Sequence, residues 1–208
     1  MARIRLGVLG STRGTDLQAV IDAIKEGKLD AEIALVASNK EDAYILTRAR
    51  VHDLPALFVE SRGKEREDFD REVMKALEEK GVELVLLIGY LRLLSPAFVE
   101  RYRNKVMNIH PSLLPAFGGG MDRNVHKDAL DYGVKVTGCT LHFVDEGADS
   151  GPIILQRAVD VDENETVDSL KEKVQHAEGQ LIVKGIKLFA EGRLKVEGRK
   201  VLIQPEKG

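Results

Sequence analysis

The run Val82 to Ile88 sets the tightest limit on what this chain can fold into. Every residue in it except Glu83 is aliphatic, and Gly81 and Gly89 bound it. It is far too short to span a bilayer. It reads instead as a strand covered on both faces, which is what the centre of a parallel sheet requires. The segment before it, Arg66 to Lys80, places Phe69, Val73, Ala76 and Leu77 on one helical face, and Gly81 closes it. A helix leading into a doubly covered strand is half of a βαβ unit.

The same alternation extends to both sides. Ile4 to Leu9, Ile33 to Ala37 and Ala56 to Val59 read as strands. Between them lie a helix carrying Leu17, Val20, Ile21 and Ile24 and ending at Gly27, and a short helix over Ala43 to Val51. Ser95-Pro96 supplies an N-cap and a first-turn proline for another helix. After residue 115 the pattern changes. Ala116 to Asp122 holds three consecutive glycines and is expected to be a mobile loop, and Val125 to Tyr132 is a short helix. Val134 to Val144 and Gly151 to Val161 read as an antiparallel hairpin. Thr166 and Asp168 open a last long helix, and the tail from Arg193 has room for one or two short strands. The fold class expected is α/β, a Rossmann-like three-layer sheet with a parallel N-terminal half and an antiparallel C-terminal hairpin. With no repeat or linker in view, 1–208 is expected to be one domain, its halves meeting near residue 100.

Composition narrows the partners. A net charge of −3 over 208 residues gives no global basic field for nucleic acid. The single cysteine, Cys139, rules out a disulfide framework and a cysteine-rich metal site and suits a reducing compartment. Cys139 itself reads as a small core residue. No His/Cys/Asp spacing argues for a metal, and His52 and His126 read as surface residues. The N-terminus enters a strand pattern at once, without a signal peptide, so a cytoplasmic location is expected.

Chemistry concentrates in Asn108-Ile109-His110-Pro111-Ser112-Leu113-Leu114-Pro115. Asn108 and His110 are two apart at a strand's end, so their side chains leave the same face. Pro111 stops the ladder there, at the end of an α/β strand where ligands are usually placed. An amide and a protonated imidazole could both donate to an oxygen that becomes negative in a tetrahedral intermediate. The alternative is a turn-capping Asn beside a packed His. Asp149 sits in an acidic, glycine-bearing turn. Near His110 it would favour the imidazolium, orient the ring and relay a proton; otherwise it is an ordinary hairpin aspartate. Gly10 to Asp16, between a strand and a helix N-terminus, suits a phosphate, or is a plain βα turn with Thr15 or Asp16 as N-cap. His142 shares a strand face with Val136 and Thr140 and reads as a structural histidine.

These pieces together resemble the folate-dependent formyltransferases that act on glycinamide ribonucleotide. Three separated motifs carry the resemblance: Asn108 to Pro115, Thr137-Gly138-Cys139-Thr140-Leu141-His142-Phe143-Val144, and Asp149-Ser150-Gly151-Pro152-Ile153. It spans nearly the whole chain. It implies formyl transfer from 10-formyltetrahydrofolate, a co-substrate, to the amine of glycinamide ribonucleotide in purine biosynthesis, with no metal. The implied catalytic trio is Asn108, His110 and Asp149, with Asn108 holding the oxyanion and His110 as general acid. Gly14, Thr15 and Asp16 would bind the substrate phosphate. Gln175, His176, Ala177 and Glu178 would form a second substrate stretch. Leu91, Arg92, Leu93 and Leu94, together with Asp145, Glu146, Gly147, Ala148 and Asp149, would cradle the pterin largely through backbone, with Arg66 and Asn108 also on the folate side. Small molecules are the only partners implied, and the chain would be a monomer or homodimer.

Two positions depart from the family pattern. Many relatives carry Ser-Asn where this chain has Thr15-Asp16, and an anionic side chain would repel a phosphate; the reading favoured is that Asp16 turns away and caps the helix. The stretch from Gly118 to Val125 differs from the commoner Pro-Gly form. Rival readings are a 10-formyltetrahydrofolate hydrolase, a methionyl-tRNA or sugar-nucleotide formyltransferase, and a non-catalytic folate-binding protein. The hydrolase usually carries an extra N-terminal domain, and the tRNA enzyme a C-terminal one with a basic surface.

Overall fold

A computed structural model describes residues 3–120 and 124–206. Met121 and Asp122, the end of the expected glycine-rich loop, lie outside the described residues. The chain forms two compact units, residues 1–107 and 108–208.

The first unit is a parallel α/β arrangement. Its strands are β1 (Ile4–Leu9), β2 (Ala31–Ser38), β3 (Ala56–Phe58) and β4 (Leu84–Leu87), in the order β3-β2-β1-β4. All three pairings are parallel. The helices between them are α1 (Thr15–Lys25), α2 (Tyr44–Val51), α3 (Arg66–Glu79) and, after β4, α4 (Pro96–Arg101). β4 is buried throughout, as its composition requires. Gly7, inside β1, is where α3 comes closest: a Cβ there would lie 2.5 Å from a Leu77 methyl. The β1–β2 register shifts beside it, between Leu6 and Gly7.

β5 (Val106–His110) runs from the first unit into the second. The second unit adds α5 (Val125–Tyr132), β6 (Val136–Phe143), β7 (Ile153–Asp160), α6 (Val167–Ala190), β8 (Leu194–Glu197) and β9 (Lys200–Ile203). β6 and β7 are the expected antiparallel hairpin, and the tail supplies a second one, β8–β9, with β9 parallel to β7. β6 is buried on both faces from Thr137 to Phe143, and its register with β7 shifts between Leu141 and His142. Thr166 caps α6 in a reciprocal pair with Ser169. The fold is mixed α/β, parallel in its first unit and antiparallel toward the C-terminus. No described helix is long and apolar enough to cross a membrane.

Candidate active site

β5 delivers Asn108 and His110 from one face, as their spacing demands. Asp149 comes from the turn between β6 and β7, where it adopts a left-handed backbone, φ 53°. Aspartate is one of the few residues that tolerates this conformation. Two contacts fix the turn. Asp145 Oδ1 accepts the Gly147 N–H at 3.1 Å and the Ser150 hydroxyl at 2.6 Å. Gly151 lies so close to Phe143 that a Cβ would sit 1.8 Å from that carbonyl oxygen. Only glycine lets the chain turn here and present Asp149.

The three side chains meet. Asp149 Oδ2 is 3.3 Å from His110 Nδ1, and Asp149 Oδ1 accepts from the Asn108 amide at 3.3 Å. Asp149 Oδ2 also accepts the Gly119 N–H at 3.0 Å. The other ring nitrogen of His110, Nε2, faces the Phe117 carbonyl at 3.1 Å. Both neighbours of the ring are acceptors, so each ring nitrogen can donate to its neighbour when it carries a proton. Burial by itself would push the Asp149 carboxyl up. Hydrogen bonds from His110 and the Gly119 N–H outweigh it and hold the group far below the usual carboxylate range. Asp149 is therefore an anion at any working pH, and it orients the imidazole ring.

His142, expected to be a structural histidine, is buried but also belongs to this cluster. Its Nδ1–H donates to the Phe143 carbonyl at 2.8 Å, leaving Nε2 to accept from the Asn108 amide at 3.1 Å. The same Nε2 lies 3.7 Å from Asp149 Oδ1. Asn108 thus commits its amide N–H groups to His142 and Asp149. Because β6 is buried on both faces, its burial pattern alone does not single out His142.

The other expected residues lie in two further groups. In the first unit, Gly14 is the N-cap of α1 in a left-handed conformation, φ 63°, and no side chain caps the helix. This corrects the expectation of Thr15 or Asp16 as N-cap. Gly14 packs on α2, where a Cβ would meet Ile45 at 2.4 Å. Asp16 instead sits one position inside the helix and is 9% exposed, with Oδ1 unpartnered; burial pushes its carboxyl up to about 7. Ser11, not singled out from the sequence, holds this turn to the next segment. Its N–H donates to the Gly89 carbonyl, and its hydroxyl accepts from the Leu91 N–H at 2.9 Å and donates to Asn39 at 2.6 Å. Among the described residues the N–H groups of Arg92, Leu93 and Leu94 have no protein acceptor, and Leu93 is 40% exposed. Such a half-apolar peptide edge suits a flat heterocycle with its own donors and acceptors. Arg66 is the exposed first residue of α3.

In the second unit, Gln175, His176, Ala177 and Glu178 form a turn of α6; Ala177 and Glu178 are buried, and exposed His176 pairs with Gln180 at 2.8 Å. Cys139 is a fully buried strand residue. His52 and His126 are both half-buried rather than on the open surface; His52 bonds Lys25 and Gln18. A cavity of about 620 Å³ at the carboxyl ends of β2 and β3 is lined by Asn39 to Asp42, Phe58 and Glu60 to Arg62, and contains none of the expected site residues. No group of His, Cys, Asp and Glu among the described residues has the arrangement of a metal site.

A family model described as formyl transferase matches residues 4–186. The chain is 42% identical to the trifunctional purine biosynthetic protein adenosine-3 of Gallus gallus over 93% of its own length and 19% of that protein's. It thus spans about a fifth of such multifunctional relatives. It is 40% identical to the phosphoribosylglycinamide formyltransferase of Escherichia coli (strain K12), covering 91% of this chain and 88% of that one. The crystal structure of glycinamide ribonucleotide transformylase 1 from Symbiobacterium toebii superposes with a TM-score of 0.93 at 45% identity, over 98% of this chain and 95% of that one. With a match over most of its length and relatives of its own size well above 30% identity, this chain belongs to the formyl transferase family.

Proposed function

We propose that this chain transfers the formyl group of 10-formyltetrahydrofolate to the amine of glycinamide ribonucleotide in purine biosynthesis, as a cytoplasmic enzyme. The observation that carries the reading is the imidazole of His110 held between Asp149 and the Phe117 carbonyl, with the Asn108 amide alongside. The acceptor brings its own nucleophile, so the protein needs no serine or cysteine for attack. The amine nitrogen forms a bond to the formyl carbon, and the carbonyl electron pair becomes an oxyanion. The bond from that carbon to the folate nitrogen then breaks, and the proton lost by the attacking amine must reach the departing nitrogen. His110 is suited to give that proton from Nε2, with the substrate oxygen or nitrogen taking the place of the Phe117 carbonyl. Asn108 stabilises the oxyanion by turning one N–H from its long bonds of 3.1 and 3.3 Å onto the charged oxygen, a stronger acceptor.

The first unit's peptide edge Arg92–Leu94 suits the pterin, and Gly14 to Asp16 suits the phosphate. The test mixes protein, formyl donor and glycinamide ribonucleotide and follows donor absorbance. Turnover that requires the ribonucleotide supports the reading. Turnover without it means a hydrolase, and binding without turnover means a passive folate protein; either overturns it.

Asp16 carries its own prediction. At about 5 Å and an effective dielectric near 20, each pair of unit charges repels by roughly 3 kcal/mol. The aspartate is therefore compatible with a phosphate only as the neutral acid. Its carboxyl, pushed up to about 7, is neutral below that pH and ionises above it. The KM for the phosphorylated acceptor should rise as pH passes 7 in the wild type. In Asp16→Asn it should stay flat, with activity kept and KM unchanged or lower at pH 8. Stability has the matching sign: the folded chain keeps a proton that the unfolded chain releases above about 4, so stability falls between pH 4 and 7, and the Asn variant lacks this fall. A large loss of kcat in Asp16→Asn would refute this account.

A further inference from the structure

We propose that Asp70 is a positioning residue for the formyl donor: from α3 it fixes the Leu91–Leu94 peptide edge and the Arg92 side chain against which the donor binds. This rests on the functional reading above.

Asp70 is 1% exposed and takes no part in the chemistry derived so far. Its Oδ2 accepts the backbone N–H of Ser95 at 2.5 Å. Ser95 is the N-cap of α4, and its hydroxyl already accepts the Phe98 N–H. In a capping box the third helical residue, a Glu or Gln, reaches back to the N-cap N–H. Here that residue is Phe98 and cannot do so; Asp70 supplies the acceptor from another helix. The residue before it on α3, Phe69, lies under the Arg92 guanidinium, with Cζ 4.4 Å from the ring centroid. Consecutive α3 residues therefore hold both ends of the segment from Arg92 to Ser95, while Ser11 holds Gly89 and Leu91.

An uncharged acceptor would suffice to cap α4, so the buried charge needs another reason. Burying a carboxylate is costly unless cations compensate it. Burial does push the Asp70 carboxyl up, but the Ser95 N–H and hydroxyl oppose this, as do the guanidiniums of Arg92 and Arg66, and the carboxylate in turn raises Tyr90. These are the polar and charged groups facing it. Two buried polar atoms of this one cluster have no hydrogen-bond partner: Asp70 Oδ1 and Arg92 Nε. Native cores leave few such atoms, and they seldom gather without a use. Asp70 holds Arg92 beside the peptide edge, where its remaining N–H groups meet an anionic or carbonyl-rich ligand.

The test compares Asp70→Asn, which keeps an acceptor for Ser95 but loses the charge, with Asp70→Ala, which loses both. Removing charge-assisted positioning should raise the donor KM about fivefold in the Asn variant and about thirtyfold in the Ala variant. Acceptor KM should stay within about twofold, and kcat within about threefold, because the reacting groups are untouched. Folate affinity, measured directly by fluorescence, should fall in the same order. Donor KM and folate affinity unchanged in Asp70→Asn would overturn the proposal, as would equal rises in both KM values, the pattern of general loosening. The Asn variant decides the matter by itself if the Ala variant does not fold. Should the wild type bind folate yet transfer no formyl group, the functional reading fails and the affinity ranking still tests Asp70.

Discussion

Replacing His110 with alanine lowers kcat by about 10²-fold or more and leaves both KM values within a few-fold, as loss of a general acid does. The expectation follows from the ring's two acceptors. Asp149 holds Nδ1, so the ring cannot rotate freely, and Nε2 carries the proton that a departing nitrogen needs. Alanine leaves Asp149 with the Asn108 amide and the Gly119 N–H, so the anion keeps partners and the fold has little cause to loosen. Steady-state rates with both substrates saturating decide the matter; a near-normal kcat removes His110 from the chemistry.

Asp149→Ala should cost a similar factor in kcat, about 10² or more, for another reason. The carboxylate gathers His110, His142, Asn108 and the Gly119 N–H, so its loss frees the imidazole and the amide together. Stability is a second readout. The folded carboxyl is held far below its ordinary value, so the folded chain refuses a proton that the unfolded chain accepts. The stabilisation is therefore complete above about pH 5 and drains away as pH falls through 4 and below. Asp149→Ala should be less stable than the wild type at pH 7, with the gap narrowing toward pH 3 in chemical denaturation. A gap independent of pH would mean that the carboxylate's charge does not hold the cluster.

Much of this was legible in the residues. Every expected helix and strand is present among the described residues, with edges displaced by at most a few positions, because burial patterns in β1, β4 and α3 are strong and glycines or caps mark their ends. The pairing of Asn108 with His110 follows from strand geometry alone. Asp149 was visible only through the resemblance, since nothing local says that a hairpin turn will fold back onto β5. His142 read as one more buried residue of a strand covered on both faces, and its tie to Asn108 and Asp149 depends on where β5 and the hairpin turn meet it. Gly14 took the cap because packing on Ile45 and a left-handed backbone outweighed the usual preference for Thr or Asp. Helix periodicity does not single out Asp70, whose burial depends on a partner N–H twenty-five residues away.

The bonds of Ser11 bear on the order in which substrates arrive. One small side chain sits between the glycine turn on one flank and Leu91 on the other, and its hydroxyl proton goes to Asn39. A ligand that shifts either flank must reorient that hydroxyl, and the other flank then feels the change. If the two flanks bind the two substrates as proposed, occupancy of one should alter affinity at the other by an equal factor in both directions. Product inhibition patterns and pairwise titrations would expose this reciprocity as synergy between the two ligands, with no need for a moving lid.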